Sequence, residues 1–340
     1  MLAAFCPSPG RIELREVPRP EPGPTDVLVR VRSCGICGSD LHYYHGALPC
    51  PPVCPGHEIA GEIAELGKDV RGPAPGDRVA VEPVRICGAC PYCLVGDYQL
   101  CRNLRLLGIQ EDGGFAEFVR VPARSVFRLP SGCDWFVGAL AEPASVALHG
   151  VRLAGVRLGQ RVLVLGGGTI GLLAALAARS AGASEVLVTV RYPQQAEAAR
   201  SLGAVPFTDE QEGELLAYAA DNPVDAVIET VGGKANTLSQ ALFAVRPGGC
   251  VSVLGVFPEP VAIQALVLMA KEVRVVGSMI YGRTGPRADF EIALELLDRH
   301  RDTVRAWVTH RFPLDRIAEG FATASDKKAG SIKVAIHPPD

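Results

Sequence analysis

The sequence has no run of like charge, no internal repeat and no low-complexity segment. Its formal net charge is -3, with 21% charged residues, so it lacks the basic footprint of a nucleic-acid binder and the charged tail that grips a membrane surface. No apolar stretch is long and clean enough to span a bilayer. The most apolar window, RVLVLGGGTIGLLAALAARSAG, is broken by Gly166, Gly167, Gly168, Gly171 and Arg179, and reads as a buried strand leading into a buried helix. The opening segment MLAAFCPSPGRIELREV has neither the basic flank nor the apolar core of a signal peptide. The expectation is a cytoplasmic protein whose partner is a small, neutral or mildly polar molecule, with no nucleic acid and no membrane. Disorder is excluded by 48% hydrophobic residues, ample for a sizeable core. Cysteine is abundant, at eleven residues. Cytosolic thiols are kept reduced, so clustered cysteines point to metal or catalysis rather than to cross-links.

At 340 residues the chain exceeds the size at which a single core usually persists, and two domains are expected. Up to about residue 150, β-rich runs such as DVLVRVRS, GDRVAVEPV and FAEFVRVP are separated by Pro and Gly clusters, the pattern of a β-dominated domain. From QRVLVLGGG onward, short apolar strands (RVLVLG, EVLVTV, DAVIETVG, GCVSVLGV, VRVVGSMI) alternate with Ala- and Leu-rich helical segments. That alternation predicts βαβ units and a parallel sheet, hence an α/β chain. The tail after residue 282 carries a helix (DFEIALELLDRH), a strand-like WVTHRF, a short helix (LDRIAEGFATA) and a final strand (SIKVAIH), and could extend either domain.

The stretch CGACPYCLVGDYQLC places Cys87, Cys90, Cys93 and Cys101 at gaps of two, two and seven residues. Short gaps let one loop wrap an ion at little entropic cost, and four thiolates suit a tetrahedral structural zinc. The spacing differs from the ferredoxin patterns of iron–sulfur clusters; inert thiols are the plain alternative. Four protein ligands leave no open position for substrate, so the loop is a clip and not a reaction centre.

In VLVLGGGTIG a predicted strand ends and a helix opens, giving G-x-G-x-x-G as Gly166, Gly168 and Gly171, with Thr169 and Ile170 at the helix start. These glycines permit a tight turn and close approach of a pyrophosphate to backbone N–H groups. A glycine triplet alone is weak; strand–turn–helix context makes it a dinucleotide site. At the end of the next strand, where a carboxylate would bind the ribose of NAD, stand Val190, Arg191 and Tyr192. The absence of a carboxylate and the planar fork of Arg191 favour NADP over NAD, unless Arg191 is simply a solvated surface cation.

GICGSDLHYYHG packs Cys37, Ser39, Asp40, His42 and His45 into what reads as a loop. By itself it could be a buried thiol beside a polar turn. With His57 in CPGHEIAGE and Glu142 in ALAEPASVALHG, Cys37 offers a mixed sulfur, nitrogen and oxygen set suited to a catalytic zinc with an open position. Separation in sequence does not prove that the three meet.

The ordered set CGSDLH, GHEIAGE, GDRVAVEP, the four-cysteine loop, GGFAEF, EPASVALHG and GGGTIG resembles, over nearly the whole chain, the zinc-dependent medium-chain dehydrogenase/reductase family, in its sorbitol, threonine and butanediol dehydrogenase branch. The resemblance implies a GroES-like catalytic domain over 1–153 with a structural-zinc loop at 87–101, a doubly wound Rossmann domain over 154–281, and a return to the catalytic domain over 282–340, with the active cleft between domains. It implies a catalytic zinc on Cys37, His57 and Glu142, with Glu58 the glutamate that moves onto the metal in some members. Ser39 resembles the hydroxyl that takes the alcohol proton, His42 the station that passes it to solvent, and Asp40 the group that orients His57. Tyr43, Tyr44 and Phe115 are candidates for lining the substrate cleft, against plain aromatic packing; His45 has no assigned role. Where sorbitol dehydrogenases carry a polyol-binding arginine, this sequence has Ile280 followed by Tyr281, which suits a less hydroxylated alcohol. The expected activity is NAD(P)-dependent oxidation of a secondary alcohol, diol or polyol, or reduction of the matching ketone, by a homo-oligomer (tetramer or dimer). The alternatives are a zinc-independent quinone or enone reductase of the same superfamily, and a catalytically silent nucleotide-binding protein.

If the four-cysteine loop is a clip, Cys90→Ala lowers the thermal midpoint before it lowers turnover per folded molecule. A variant that keeps its midpoint while losing turnover contradicts the clip.

Overall fold

The computed structural model describes residues 1–339. The chain forms two compact units, Met1–Glu142 joined by the stretch from Gly282 onward, and Pro143–Tyr281. The division falls inside the helix Ala141–Leu153, whereas the sequence reading put it at the end of that segment.

The first unit is built on a seven-stranded sheet. Its spatial order is Val308–Pro313, Lys333–His337, Asp26–Gly35, Glu58–Leu66, Arg78–Val81 and Val126–Arg128, with Phe118–Pro122 also paired to Asp26–Gly35. Asp26–Gly35 is buried almost throughout because it is paired on both sides along its length. Val27, Val29, Val31, Ile59, Ile63, Val79 and Val81 are nearly inaccessible and form the core with Phe115 and Phe321. The tail belongs to this unit: Lys333–His337 runs antiparallel to Asp26–Gly35 through Ala335 opposite Gly35 and Ile336 opposite Cys34. Gly35 also faces Glu58 on its other side, so three distant segments meet at one point of the sheet.

The stretch after Cys37 is not a loop. Gly38–Tyr44 is a short helix, started by Cys37 in extended conformation and by Asp40, whose Oδ2 accepts the Cys37 N–H at 2.9 Å. An Asp three residues after the cap satisfies a donor that the first turn would leave bare.

The second unit is a six-stranded parallel sheet in the order Val205–Thr208, Glu185–Val190, Arg161–Leu165, Val224–Glu229, Val245–Val253, Arg274–Gly277. The inner strands Glu185–Val190, Arg161–Leu165 and Val224–Glu229 are mostly buried apolar runs, as strands covered on both faces are, and the reversal of strand order beside Arg161–Leu165 is the doubly wound arrangement. The glycine turn follows that strand and feeds the helix Thr169–Ser180. Gly166 has φ +103°, a left-handed conformation glycine adopts without strain. A Cβ on Gly171 would lie 1.7 Å from the Gly166 carbonyl oxygen, so only glycine lets the helix sit this close to the turn. No helix among the described residues is long and apolar enough to cross a membrane.

Candidate active site and metal centres

Cys37 sits at the start of the short helix, and His57 and Glu58 at the start of the strand Glu58–Leu66. Their donor atoms lie within 4.8 Å of one another, a grouping able to hold a metal ion. Ser39 Oγ lies 3.5 Å from His57 Nε2, and Asp40 Oδ1 lies 3.9 Å from His57 Nδ1. Asp40 is thus placed to orient the imidazole through the nitrogen pointing away from Ser39, though at this spacing it faces the ring electrostatically rather than through a hydrogen bond.

Glu142, near the start of the helix Ala141–Leu153, is not part of the group within 4.8 Å. It is 6% exposed, and its charge acts on His57. The oxygen in the group belongs to Glu58. Burial pushes the Glu142 carboxyl up to about 7, against the pull of His57, with Glu58 and Asp40 adding repulsion and Lys333 relieving it. Burial likewise raises Asp40, offset by His57. Burial opposes charge on His57, yet Asp40, Cys37 and Glu142 outweigh it and draw its pKa well above the histidine range. A thiol, an imidazole and carboxyl groups gathered in a desolvated space form a donor set that fits a divalent zinc.

Lys333 was not identified from sequence. It is 4% exposed, and its Nζ donates to both oxygens of Glu58 at 2.6 and 2.7 Å and to the Ile36 carbonyl at 3.0 Å. Gly35 makes room for the pair, since a Cβ there would stand 1.9 Å from Glu58 Oε2. The only local signal was a lysine inside the apolar run SIKVAIH; its partner is 275 residues away.

His42 is half-buried; burial and then His45 lower its pKa. The aromatic candidates divide. Phe115 is fully buried in the core, with its ring 5.7 Å from Phe321, so it packs rather than lines a cleft. Tyr44 also packs on Phe321, at 5.3 Å. Tyr43 is half-buried, and burial followed by Asp40 and Cys37 raises its hydroxyl pKa. His45 Nε2 meets Ser325 Oγ at 3.0 Å, a surface contact.

The second donor group is Cys87, Cys90, Cys93 and Cys101. Three sulfur pairs stand at 3.5, 3.6 and 3.9 Å; the edge of a tetrahedron with zinc–sulfur bonds of about 2.3 Å is about 3.8 Å. The N–H groups of Cys87, Cys90 and Asn103 point at sulfurs of the set, and backbone N–H donors hold Cys90 down to about 6. Tyr98 roots the loop: its hydroxyl donates to Glu82 at 2.5 Å and contacts the Gly282 carbonyl at 3.1 Å.

In the second unit, Gly166 N–H donates to Thr189 Oγ1 at 2.8 Å, and Gly168 caps the helix with open space where a Cβ would be. Thr169 and Ile170 are partly exposed on the first turn, while Gly171 is buried beneath it. Val190 is buried. The Arg191 side chain is 68% exposed and pairs with Asp209 at 2.7 Å. Tyr192 caps the next helix, Pro193–Ser201. Ile280 has φ +41°, a costly conformation for a β-branched residue; Tyr281 after it is fully buried.

A sulfur–nitrogen–carboxylate centre, a four-cysteine clip and a doubly wound nucleotide unit together define a two-domain zinc dehydrogenase. The chain belongs to the zinc-binding alcohol dehydrogenase family: residues 23–131 match the alcohol dehydrogenase GroES-like domain and residues 169–299 the zinc-binding dehydrogenase domain. It is 35% identical over 338 residues to the sorbitol dehydrogenase of Halalkalibacterium halodurans, covering 97% of each chain. Among solved structures, it is 38% identical to a protein assigned as a zinc-binding dehydrogenase from Sinorhizobium meliloti, bound to NADP (TM-score 0.89, 99% of each chain). It is 30% identical to 2R,3R-butanediol dehydrogenase from Bacillus subtilis (TM-score 0.89, 99% of each chain).

If Lys333 neutralises a buried carboxylate, Lys333→Met destabilises the protein by about 3–5 kcal/mol in urea unfolding. Adding Glu58→Gln recovers most of that loss, because the buried charge is then gone. Additive costs in the double variant contradict the pairing.

Proposed function

We propose that this chain is a zinc-dependent dehydrogenase that uses NADP to oxidise a secondary alcohol, diol or polyol, and reduces the corresponding ketone in the reverse direction. The observation that carries this reading is the meeting of Cys37 with the buried His57 and Glu58, their donor atoms within 4.8 Å of one another, with Ser39 Oγ 3.5 Å from His57 Nε2. Cys37, His57 and a glutamate, either Glu142 or Glu58, would hold a zinc, which would supply the Lewis acidity that acidifies an alcohol, and bound NADP would supply the hydride acceptor. Cys87, Cys90, Cys93 and Cys101 would hold a second zinc that takes no part in the reaction.

The chain's own residues handle the proton. Ser39 accepts it from the substrate hydroxyl. His42 lies three residues further along the same helix, on the neighbouring position of its surface, placed to take the proton onward; burial and then His45 favour its neutral form. Asp40 aligns His57, and Lys333 holds Glu58 until the carboxylate is needed elsewhere in the pocket.

NADP is favoured because Val190 offers no carboxylate to repel a 2′-phosphate and Arg191 stands next to it. Arg191 must exchange Asp209 for the phosphate, and an exposed pair is cheap to break. The Sinorhizobium relative bound to NADP supports the assignment. Sorbitol and butanediol dehydrogenases among the relatives support the substrate class, and Ile280 in place of a polyol-binding arginine favours its less hydroxylated members. Eleven free cysteines agree with a cytoplasmic setting. Homo-oligomerisation, as a dimer or tetramer, is supported by the edge strand Arg274–Gly277, where Val275 and the nearby Leu266, Met269 and Met279 are exposed.

A panel of small secondary alcohols, diols and polyols, assayed with both nicotinamides on protein of known zinc content, tests the reading. About two zinc per chain and turnover with NADP over NAD are expected. A zinc-free protein that reduces quinones or enones, or zinc-loaded protein that turns over nothing in the panel, overturns it. Ser39→Ala is expected to lower kcat about 100-fold or more with the Kd for NADP unchanged. Equal losses in both would make Ser39 a residue that only shapes the site.

A further inference from the structure

We propose that Cys6 and Cys50 form a dithiol site that a peroxide converts to an intramolecular disulfide, closing a covalent ring around the segment that carries Cys37, Ser39 and His42. Cys6 lies in the strand Leu2–Ser8 and is 6% exposed. Cys50 follows the helix Gly38–Tyr44 and is partly exposed. Their sulfurs are 2.8 Å apart, closer than any sulfur pair of the zinc clip, where contacts run from 3.5 to 3.9 Å. Neither cysteine belongs to a metal-holding group, so the pairing is not the trace of an ion. Closure to a bond of about 2.05 Å needs a movement of only about 0.8 Å.

The surroundings suit this chemistry. A depression of about 490 Å³ opens at the surface and is lined by Pro7, Ser8, Gly46, Ala47, Pro49 and Cys50, giving a small oxidant access to Cys50. Burial, then the neighbouring Cys50, pushes the Cys6 thiol up to about 12. Cys50 is partly exposed and lines this depression whereas Cys6 is buried, so Cys50 is the sulfur that attacks the oxidant first. Its thiol breaks the O–O bond of a hydroperoxide, becoming a sulfenic acid and releasing an alcohol, or water if the oxidant is hydrogen peroxide. The Cys6 sulfur then displaces the hydroxyl from Cys50. The S–S bond forms, the S–O bond breaks, and the Cys6 proton leaves with the hydroxyl as water. Two thiols lose two electrons in all, and one peroxide gains them.

The cross-link reinforces contacts already present. Gly10 N–H donates to the Tyr44 carbonyl at 2.7 Å, and the Cys50 thiol faces the Tyr43 carbonyl at 3.7 Å. Restricting the unfolded chain between Cys6 and Cys50, which are 44 positions apart, stabilises this segment in the folded state.

The test is made on zinc-loaded full-length protein given a few equivalents of hydrogen peroxide, alkylated, and mapped by mass spectrometry without reduction. A peptide linked through Cys6 and Cys50 is expected, with the thiol count under denaturing, chelating conditions falling from eleven by two, and zinc content unchanged. The thermal midpoint rises by several degrees and returns on reduction. Cys50→Ser, at a partly exposed position, removes both effects, and Cys6→Ser does the same. Full alkylation of Cys6 and Cys50 after oxidation, or a first linkage within Cys87–Cys101 with loss of zinc, overturns the proposal.

Discussion

The first unit depends on the accommodation of negative charge out of water. Asp40, Glu58 and Glu142 are nearly inaccessible and lie close enough to perturb one another and His57. Such a set is ruinous to stability unless cations share the space. The chain supplies one of its own in Lys333, and the donors of Cys37, His57 and the glutamates are suited to a second, metallic one. Function and stability are therefore tied in this pocket: the desolvation that makes an ion bind tightly also makes each carboxylate expensive to keep.

The sheet is what makes the accommodation possible. Gly35 faces both Glu58 and Ala335 across neighbouring strands, and the lack of a side chain at Gly35 opens the space that the Glu58–Lys333 pair fills. The C-terminal strand is thus part of the candidate site and not an appendage. A lysine near the end of the chain closes a charge balance set up within its first sixty residues.

The two zinc-suited groups differ in how they are held. The four cysteines come from one short segment and owe their geometry to local turns, N–H···S contacts and the anchor at Tyr98. The mixed group draws on a helix start and a strand start, brought together by the packing of the whole sheet. Local wrapping gives a closed clip. Long-range assembly leaves the pocket with more potential donors than a zinc needs, since Glu58 lies within the cluster and Glu142 beside it, and that surplus gives such a centre room to change ligands.

Much of this architecture is legible in the sequence alone, because period and punctuation encode it. The switch from proline-broken β runs to strands alternating with helices announces the two kinds of domain. The cysteine gaps announce the four-sulfur cluster, and the glycine spacing announces the tight turn from strand into helix, since each is a short-range requirement on backbone or loop. The short helix after Cys37 escaped notice because its start depends on Asp40 reaching back to the cap. Phe115 looked available to a substrate until core packing enclosed it against Phe321. Lys333, the standing of Glu58 over Glu142 inside the donor group, and the approach of Cys6 to Cys50 were decided only in three dimensions. Each joins segments far apart in the chain, and pairing of that kind is set by strand register and burial, which no local pattern of residues records.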